Sequence, residues 1–421
     1  MRQPMTLSRT TWLQYVRRAV AGWGISGLWA LSLVLWFVVA LQLWRVARQG
    51  TPMDLHVYRS AAANMLRHGD TYRAHFTFAH LNFTYPPFAL LLFSALTLVP
   101  AIVMTSLWWL CSCVALIAIV TLALRQLSDQ PMFRSIAIAT TLSGAACVFL
   151  EPLRSDLAFG QINIFLMLAV LLDLVVVRSS AKGVLTGLAA AIKLTPLIYF
   201  SYFVIVRRRA AFVTAVAALG IATALAWILL PTDSTTYWFH QAFSPGHKGG
   251  SSNVLNQSWY GLVSHFSSSL GMWTNVVWLV LSGATFVLGV LLARRYVASQ
   301  RTIEAVLALA LTELLVSPVS WAHHWSWIVL VPLLLFFQWR RERPLCGASL
   351  LLLLVAVAFP YRWYDHRWYQ HGLVQVLLGY SLLLSGVILL ITMVVTEWRH
   401  RERDLEASNV RPVSLVGEGS Q

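Results

Sequence analysis

Apolar residues run along this chain in long unbroken blocks, and polar residues gather in the gaps between them. Blocks fall at about 25 to 44, 87 to 99, 101 to 124, 135 to 150, 162 to 177, 183 to 206, 210 to 230, 273 to 293, 303 to 316, 325 to 338, 345 to 359 and 373 to 396. A run of ~20 such residues crosses a bilayer as a helix, because lipid leaves backbone groups no partner outside the segment. The pattern therefore predicts an all-α, polytopic membrane protein with about twelve hydrophobic segments, ten to twelve of them spanning. The first block is too long for a cleaved leader and is expected to stay as an anchor.

Arginine marks the gaps that face the cytoplasm. Arg17 and Arg18 precede the first block, and Arg207 to Arg209, Arg294 with Arg295, Arg340 to Arg343 and Arg399 to Arg403 follow later ones. By the bias of basic residues toward the cytoplasm, both termini are cytoplasmic. If all twelve blocks span, however, Arg178 and Lys182 fall outside and the loop Glu151 to Gln161 falls inside. Treating 87 to 99 as a short half-helix, and breaking 183 to 206 at Lys193-Leu194-Thr195-Pro196, returns every basic cluster to one side; proline interrupts a helix there. The opposite gaps, 45 to 86, 231 to 272 and 360 to 372, are rich in Trp, Tyr, His, Asn, Ser and Gly and read as ordered outer loops. Residues 1–400 then form a single membrane domain, and 401–421 a disordered cytoplasmic tail.

Composition narrows the class. Of 421 residues 58% are hydrophobic and 11% charged, against about 25% charged in soluble chains, so neither a soluble enzyme nor a disordered chain fits. The net charge of +15 sits in short clusters suited to anionic lipid, not to nucleic acid. Cys111, Cys113, Cys147 and Cys346 all lie within or beside apolar blocks and read as packing residues. There is no internal repeat, Walker loop, Gly-rich dinucleotide fingerprint, HExxH or paired CxxC. Polar chemistry gathered on one side points to an enzyme with an outer active site more than to an inverted-repeat carrier, although a lipid-linked sugar transporter or flippase would also use intramembrane Lys193, Glu313 and Asp173.

Asp54 follows the first block and puts a carboxylate at the outer surface; its plain alternative is a cap on an interfacial helix whose Leu55, Tyr58, Met65 and Leu66, with Tyr72 and Phe76 beyond it, meet acyl chains. Tyr85-Pro86-Pro87 predicts a rigid turn into the next helix. Glu151-Pro152-Leu153-Arg154-Ser155-Asp156, followed by Gly160-Gln161-Ile162-Asn163, joins an acid, a guanidinium and two amides between short apolar runs. Arg154 suits a phosphate and Gln161 and Asn163 suit hydroxyls, or Glu151 and Arg154 simply pair. Lys193, one of three lysines, lies inside an apolar block and needs a partner or a task. Asn256-Gln257-Ser258 and His323-His324-Trp325 complete the set. The paired histidines serve an aromatic belt, a phosphate or stacked sugar, or a metal lacking nearby ligands.

Taken together, Asp54 with Tyr58, the Gly69 to Tyr72 turn, Tyr85-Pro86-Pro87, Glu151-Pro152 with Arg154, Gly160 to Asn163, Gly187 to Pro196, Asn256 to Ser258 and Ser317-Pro318 through Trp325 resemble glycosyltransferase family 87. This is the polyprenol-phosphate-mannose-dependent α-mannosyltransferase branch of the glycosyltransferase-C superfamily, and the likeness covers about residues 50 to 330. It is greatest to the mycobacterial α-1,2-mannosyltransferases of phosphatidylinositol mannosides, and the lipomannan-branching enzymes share the same motifs. The resemblance implies a glycosyltransferase-C fold, a site on the outer face of the plasma membrane, a lipid-phosphate sugar donor and a glycolipid acceptor. It also implies that Asp54 is the general base, that His323, His324, Arg154 and Lys193 are donor-phosphate ligands, and that Tyr58, Tyr85, Glu151, Gln161, Asn163, Asn256, Gln257 and Trp325 contact substrate. Leu55 and His56 follow Asp54 where that superfamily often carries a second acid, so no metal is expected.

Overall fold

The computed structural model describes residues 24–77, 81–242, 254–338, 342–358 and 372–409, and these are helical, with no β-strand among them. Six helices are long and apolar enough to cross a membrane: Ile25–Ala47, Ala101–Leu127, Met132–Phe149, Arg209–Leu229, Trp273–Ala298 and Ser381–His400. A seventh is counted if the bent pair Glu151–Phe159 and Asn163–Val175 is one span. The other apolar blocks form shorter or broken helices. The last helix continues to Asn409, while 410–421 and all but the end of the loop 360–372 lie outside the described residues.

Local chemistry explains the breaks. Pro86 caps Pro87–Phe93, and a single 3-10 turn, Ser94–Thr97, ends that block well short of a span. The block 183 to 206 divides where expected: Val184–Ile192 stops at Lys193, whose backbone is extended (φ −147°, ψ 132°), and Thr195–Tyr199 resumes as a 3-10 turn around Pro196. Glu151 to Gln161, expected as a loop, is instead the helix Glu151–Phe159. Pro152 sits in its first turn, Glu151 suits its positive end, and Gly160 closes it in the left-handed region at φ 69°. That turn sends the chain off at 111° into Asn163–Val175.

Helix Thr302–Val316 forms the middle of the molecule and is buried along nearly its whole length, packed against Trp273–Ala298 and Ser381–Asn409. The helix Val184–Ile192 packs on Arg209–Leu229 through small residues. A Cβ on Gly183 would lie 2.1 Å from the Ala211 carbonyl oxygen, and one on Gly187 would lie 2.3 Å from that of Ala215, a small-xxx-small contact on both partners. Two charges tie the same region together. Asp173 accepts from the Gly183 and Thr186 amides at 2.7 and 2.9 Å and so caps Val184–Ile192, and Lys182 donates to the Leu174 carbonyl at 2.9 Å near the end of the preceding helix.

The helix Met53–Leu66 corrects one expectation. Leu55, Tyr58, Met65 and, beyond the helix, Tyr72 are buried in the protein core; among the residues expected at the acyl boundary Phe76 is half-buried and only Leu66 is exposed. The helix packs against Pro87–Phe93 and Ser94–Thr97, so its apolar face is covered by protein.

Candidate active site

Asp54 lies in the first turn of Met53–Leu66, and the N-cap position belongs to Pro52. Its carboxylate bonds across 107 positions of sequence: Oδ2 accepts from Gln161 Nε2 at 2.6 Å, and Oδ1 takes no hydrogen bond among the described residues. The Gly160 bend makes this possible. A Cβ there would come within 2.8 Å of Leu55 Cβ and 3.1 Å of Pro52 Cβ, so the turn seats directly on the start of the Asp54 helix.

Gln161 is held in one orientation. A carboxylate can only accept, so the amide nitrogen faces Asp54, and Oε1 accepts from the hydroxyls of Tyr58 and Tyr85, each at 3.2 Å. Those two hydroxyls lie 2.8 Å apart, and Tyr58 stacks on Phe93. The second hydrogen of Nε2 points at His323 Nε2, 3.2 Å away. That ring nitrogen must accept, which leaves His323 neutral with its proton on Nδ1. Burial and the nearby Lys193 push its pKa in the same direction, down to about 3.

Two positions on, Asn163 performs the matching task. Its Oδ1 accepts from Lys193 Nζ at 2.7 Å, and its Nδ2 donates to Asp156 Oδ2 at 2.9 Å. The Lys193 ammonium also stands 5.6 Å over the Tyr85 ring, so Asp54, Gln161, Tyr85, Lys193 and Asn163 form one connected group. Beyond Lys193 a cavity of about 30 Å³ is lined by Asn163, Thr195, Tyr199, Glu313 and His324 among others. Gln161 and Asn163 are 4% and 8% exposed, whereas Asp54, Tyr85, Lys193, His323 and His324 are half-buried. An inner layer of amides thus orients an outer ring of reactive groups. Burial pushes the Asp54 pKa up to about 6, against the opposing pull of Gln161 and Lys193. The arrangement gathers a carboxylate, an ammonium and a neutral imidazole into one connected group.

The pattern that defines Glycosyltransferase family 87 matches residues 83–318, and this stretch contains Tyr85, Gln161, Asn163 and Lys193. The chain belongs to glycosyltransferase family 87. A polyprenol-phosphate-mannose-dependent alpha-(1-2)-phosphatidylinositol pentamannoside mannosyltransferase of Mycobacterium tuberculosis (strain CDC 1551 / Oshkosh) is 36% identical to it, covering 73% of this chain and 72% of its own length. The protein of the same description from Mycolicibacterium smegmatis is 33% identical over 71% and 72%. A polyprenol-phosphate-mannose-dependent alpha-(1-2)-phosphatidylinositol mannoside mannosyltransferase of Mycobacterium tuberculosis (strain ATCC 25618 / H37Rv) is 31% identical over 80% and 82%. No solved structure matches the chain.

Within this glycosyltransferase the remaining sequence candidates lie apart from the Asp54 group. Arg154 and Glu151 form an ion pair along one helix, so that guanidinium already has a carboxylate. Asn256 is fully buried, donating to the Pro318 carbonyl and accepting from the Ser320 amide. Gln257 donates to the Val254 and Gly379 carbonyls and accepts from the Leu383 amide. Both amides thereby lock a turn beside the His323 segment. Trp325 is fully buried, with Gly386 against its ring. Asn253 lies outside the described residues.

The structure adds Asp156 and Ser326, whose Oγ lies 2.9 Å from Asp156 Oδ2, and places Thr195, Tyr199 and Glu313 around the cavity next to Lys193. Asp156 ends the polar run Glu151 to Asp156 read from the sequence, seven positions before Asn163. Only the bend at Gly160 brings the two into contact.

Proposed function

We propose that this chain is an inverting α-1,2-mannosyltransferase that moves mannose from polyprenyl-phosphate-mannose to a phosphatidylinositol mannoside at the outer face of the plasma membrane. The observation that carries the reading is the half-buried Asp54 carboxylate, with one oxygen held by Gln161 and the other open, beside the Lys193 ammonium. The acceptor hydroxyl oxygen bonds to the anomeric carbon as its proton passes to Asp54 Oδ1. The bond from that carbon to the phosphate oxygen breaks on the opposite face, and its electron pair leaves with the lipid phosphate. One displacement from a β-linked donor yields the α product and needs one base.

Negative charge grows on the phosphate oxygen as the bond breaks, and Lys193 is the cation aimed from the same group. His323 contributes a neutral Nδ1–H, which binds phosphate without adding charge beside the base. The lipid-phosphate leaving group is stable as an anion, so no separate acid is required, and the reading assigns no metal.

Orientation is supported by the central helix. Arg301, Glu304, Glu397, Glu342 and His400 meet near its first residues, next to the basic ends of the neighbouring helices. The Lys193 cavity reaches Ser317 and His324 just past its last residues. Fifteen residues separate the two ends, about 22 Å of helix, which suits a cytoplasmic basic belt and an outer active site. The transport alternative loses one of its three intramembrane charges, because Asp173 is engaged as a helix cap.

Purified protein supplied with labelled polyprenyl-phosphate-mannose and a phosphatidylinositol mannoside should pass label to the acceptor without a gradient and in the presence of a chelator. Movement of intact lipid between leaflets without transfer would instead establish a carrier. Loss of activity in EDTA, restored by Mg²⁺ or Mn²⁺, would replace the metal-free reading.

A further inference from the structure

Asp156 takes no part in the transfer step, yet it is 1% exposed and forms no ion pair among the described residues. Its own helix supplies no counter-ion, since Glu151 and Arg154 pair with each other. Oδ2 lies 2.9 Å from both Asn163 Nδ2 and Ser326 Oγ, while Oδ1 is buried with no hydrogen-bond partner among the described residues. A buried carboxyl either takes up a proton or is held ionised by a nearby positive charge. Because a carboxylate only accepts, Asp156 also fixes which way the Asn163 amide turns: nitrogen inward, oxygen toward Lys193 Nζ at 2.7 Å. The amide dipole then lies between an anion and a cation with its poles correctly matched.

We propose that Asp156 is the buried counter-charge and positioning residue for Lys193, acting through Asn163 to keep the ammonium protonated and aimed at the donor phosphate without touching either substrate. This rests on Lys193 as a phosphate ligand under the function proposed above. Phosphate carries like charge, so an acid placed directly against Lys193 would compete with the donor. An acid one amide away retains the electrostatic benefit without touching the ammonium itself.

The charged and titratable groups around Asp156 are Asp54, Tyr58, Tyr85, Cys147 and Lys193, with the neutral His323 close by. Lys193 in turn acts on Asp54, Asp156, Glu313, His323 and His324. Replacing Asp156 by asparagine preserves shape and an acceptor for Asn163 but removes the charge. The Lys193 ammonium is then less favoured, so its midpoint falls.

The test uses the three lysines of the chain. Reductive methylation with ¹³C-formaldehyde labels each one and keeps its charge, and Lys→Arg variants assign the signals. In Asp156→Asn the Lys193 signal should titrate lower than in wild type by on the order of one pH unit, and the basic limb of kcat/KM for the donor should move down with it. Ser326→Ala removes a hydrogen bond to the same carboxylate but leaves the charge, so the Lys193 midpoint should stay at the wild-type value. Stability supplies a second measurement: Lys193→Met leaves Asp156 uncompensated and should lower Tm, and adding Asp156→Asn should recover part of that loss. An unmoved Lys193 midpoint in Asp156→Asn, or a double variant no more stable than Lys193→Met, overturns the inference. A moved midpoint in Asp156→Asn, together with a wild-type chain that transfers no mannose, would leave Asp156 as the counter-charge and remove the proposed function.

Discussion

At the residue scale, the roles of Asp54 and His323 follow from which atoms are already engaged. Asp54 Oδ2 belongs to Gln161, so in the proposed transfer the open Oδ1 is the proton acceptor. Asp54→Asn should lower kcat by roughly 10²-fold or more with an unchanged melting temperature, because Gln161 can still bond the amide oxygen. Near-wild-type turnover would remove Asp54 as the base. The pH dependence has a definite sign. The proposed transfer needs the ionised carboxylate, so kcat/KM should fall as pH drops through about 6 and hold above it until the Lys193 ammonium deprotonates. Gln161 stabilises that ionised form, so Gln161→Leu should shift the acid limb upward and lower kcat by about 10-fold, the loss of one charge-assisted hydrogen bond. A rate loss with an unmoved acid limb would show that Gln161 serves packing alone. Asp54 was legible in the sequence by its place after the first apolar block. The neutral state of His323 was not, because it depends on an amide 162 positions away.

At the element scale, the site depends on two places where a helix stops. Gly160 ends Glu151–Phe159 and brings Gln161 to Asp54; Lys193 ends Val184–Ile192 and carries its ammonium to Asn163. The second stop is legible in Lys193-Leu194-Thr195-Pro196, since proline and a charge together disfavour a continuous apolar helix. The first is hidden because Glu151 to Gln161 contains enough polar residues to read as a loop. Its Pro152 and Glu151 are nonetheless residues that favour a helix start. The Lys193 helix is held against Arg209–Leu229 at Gly187, where a Cβ would strike the Ala215 carbonyl. Gly187→Leu should therefore separate that pair, lower stability by about 1–3 kcal/mol and reduce activity by moving Lys193. Thermal unfolding in detergent and transfer rate are the two readouts. Unchanged values of both would mean that the crossing tolerates bulk and does not position Lys193.

At the scale of the whole molecule, the basic belt and the Asp54 group lie toward opposite ends of the central helix, which makes orientation measurable. With the native cysteines replaced, a cysteine at exposed Asp70 should react with an impermeant maleimide from the outside of intact cells, and one at exposed Arg207 should react only after lysis. Labelling of Arg207→Cys alone in intact cells would invert the proposed topology. The sequence by itself determined the membrane class, the helical fold and most residues of the candidate group around Asp54, because apolar block length, clustered arginine and isolated polar residues within apolar blocks are local properties. It could not distinguish spans from broken helices by block length, since backbone breaks at Gly160 and Lys193 depend on what the chain packs against. Nor could it separate the roles of its polar residues. Asn163 and Asn256 are both asparagines between apolar stretches, yet one orients Lys193 and the other bonds the backbone at Pro318 and Ser320. That difference was decided by tertiary structure alone, because a buried amide takes its role from the donors and acceptors that folding brings within 3 Å, and these come from distant parts of the chain.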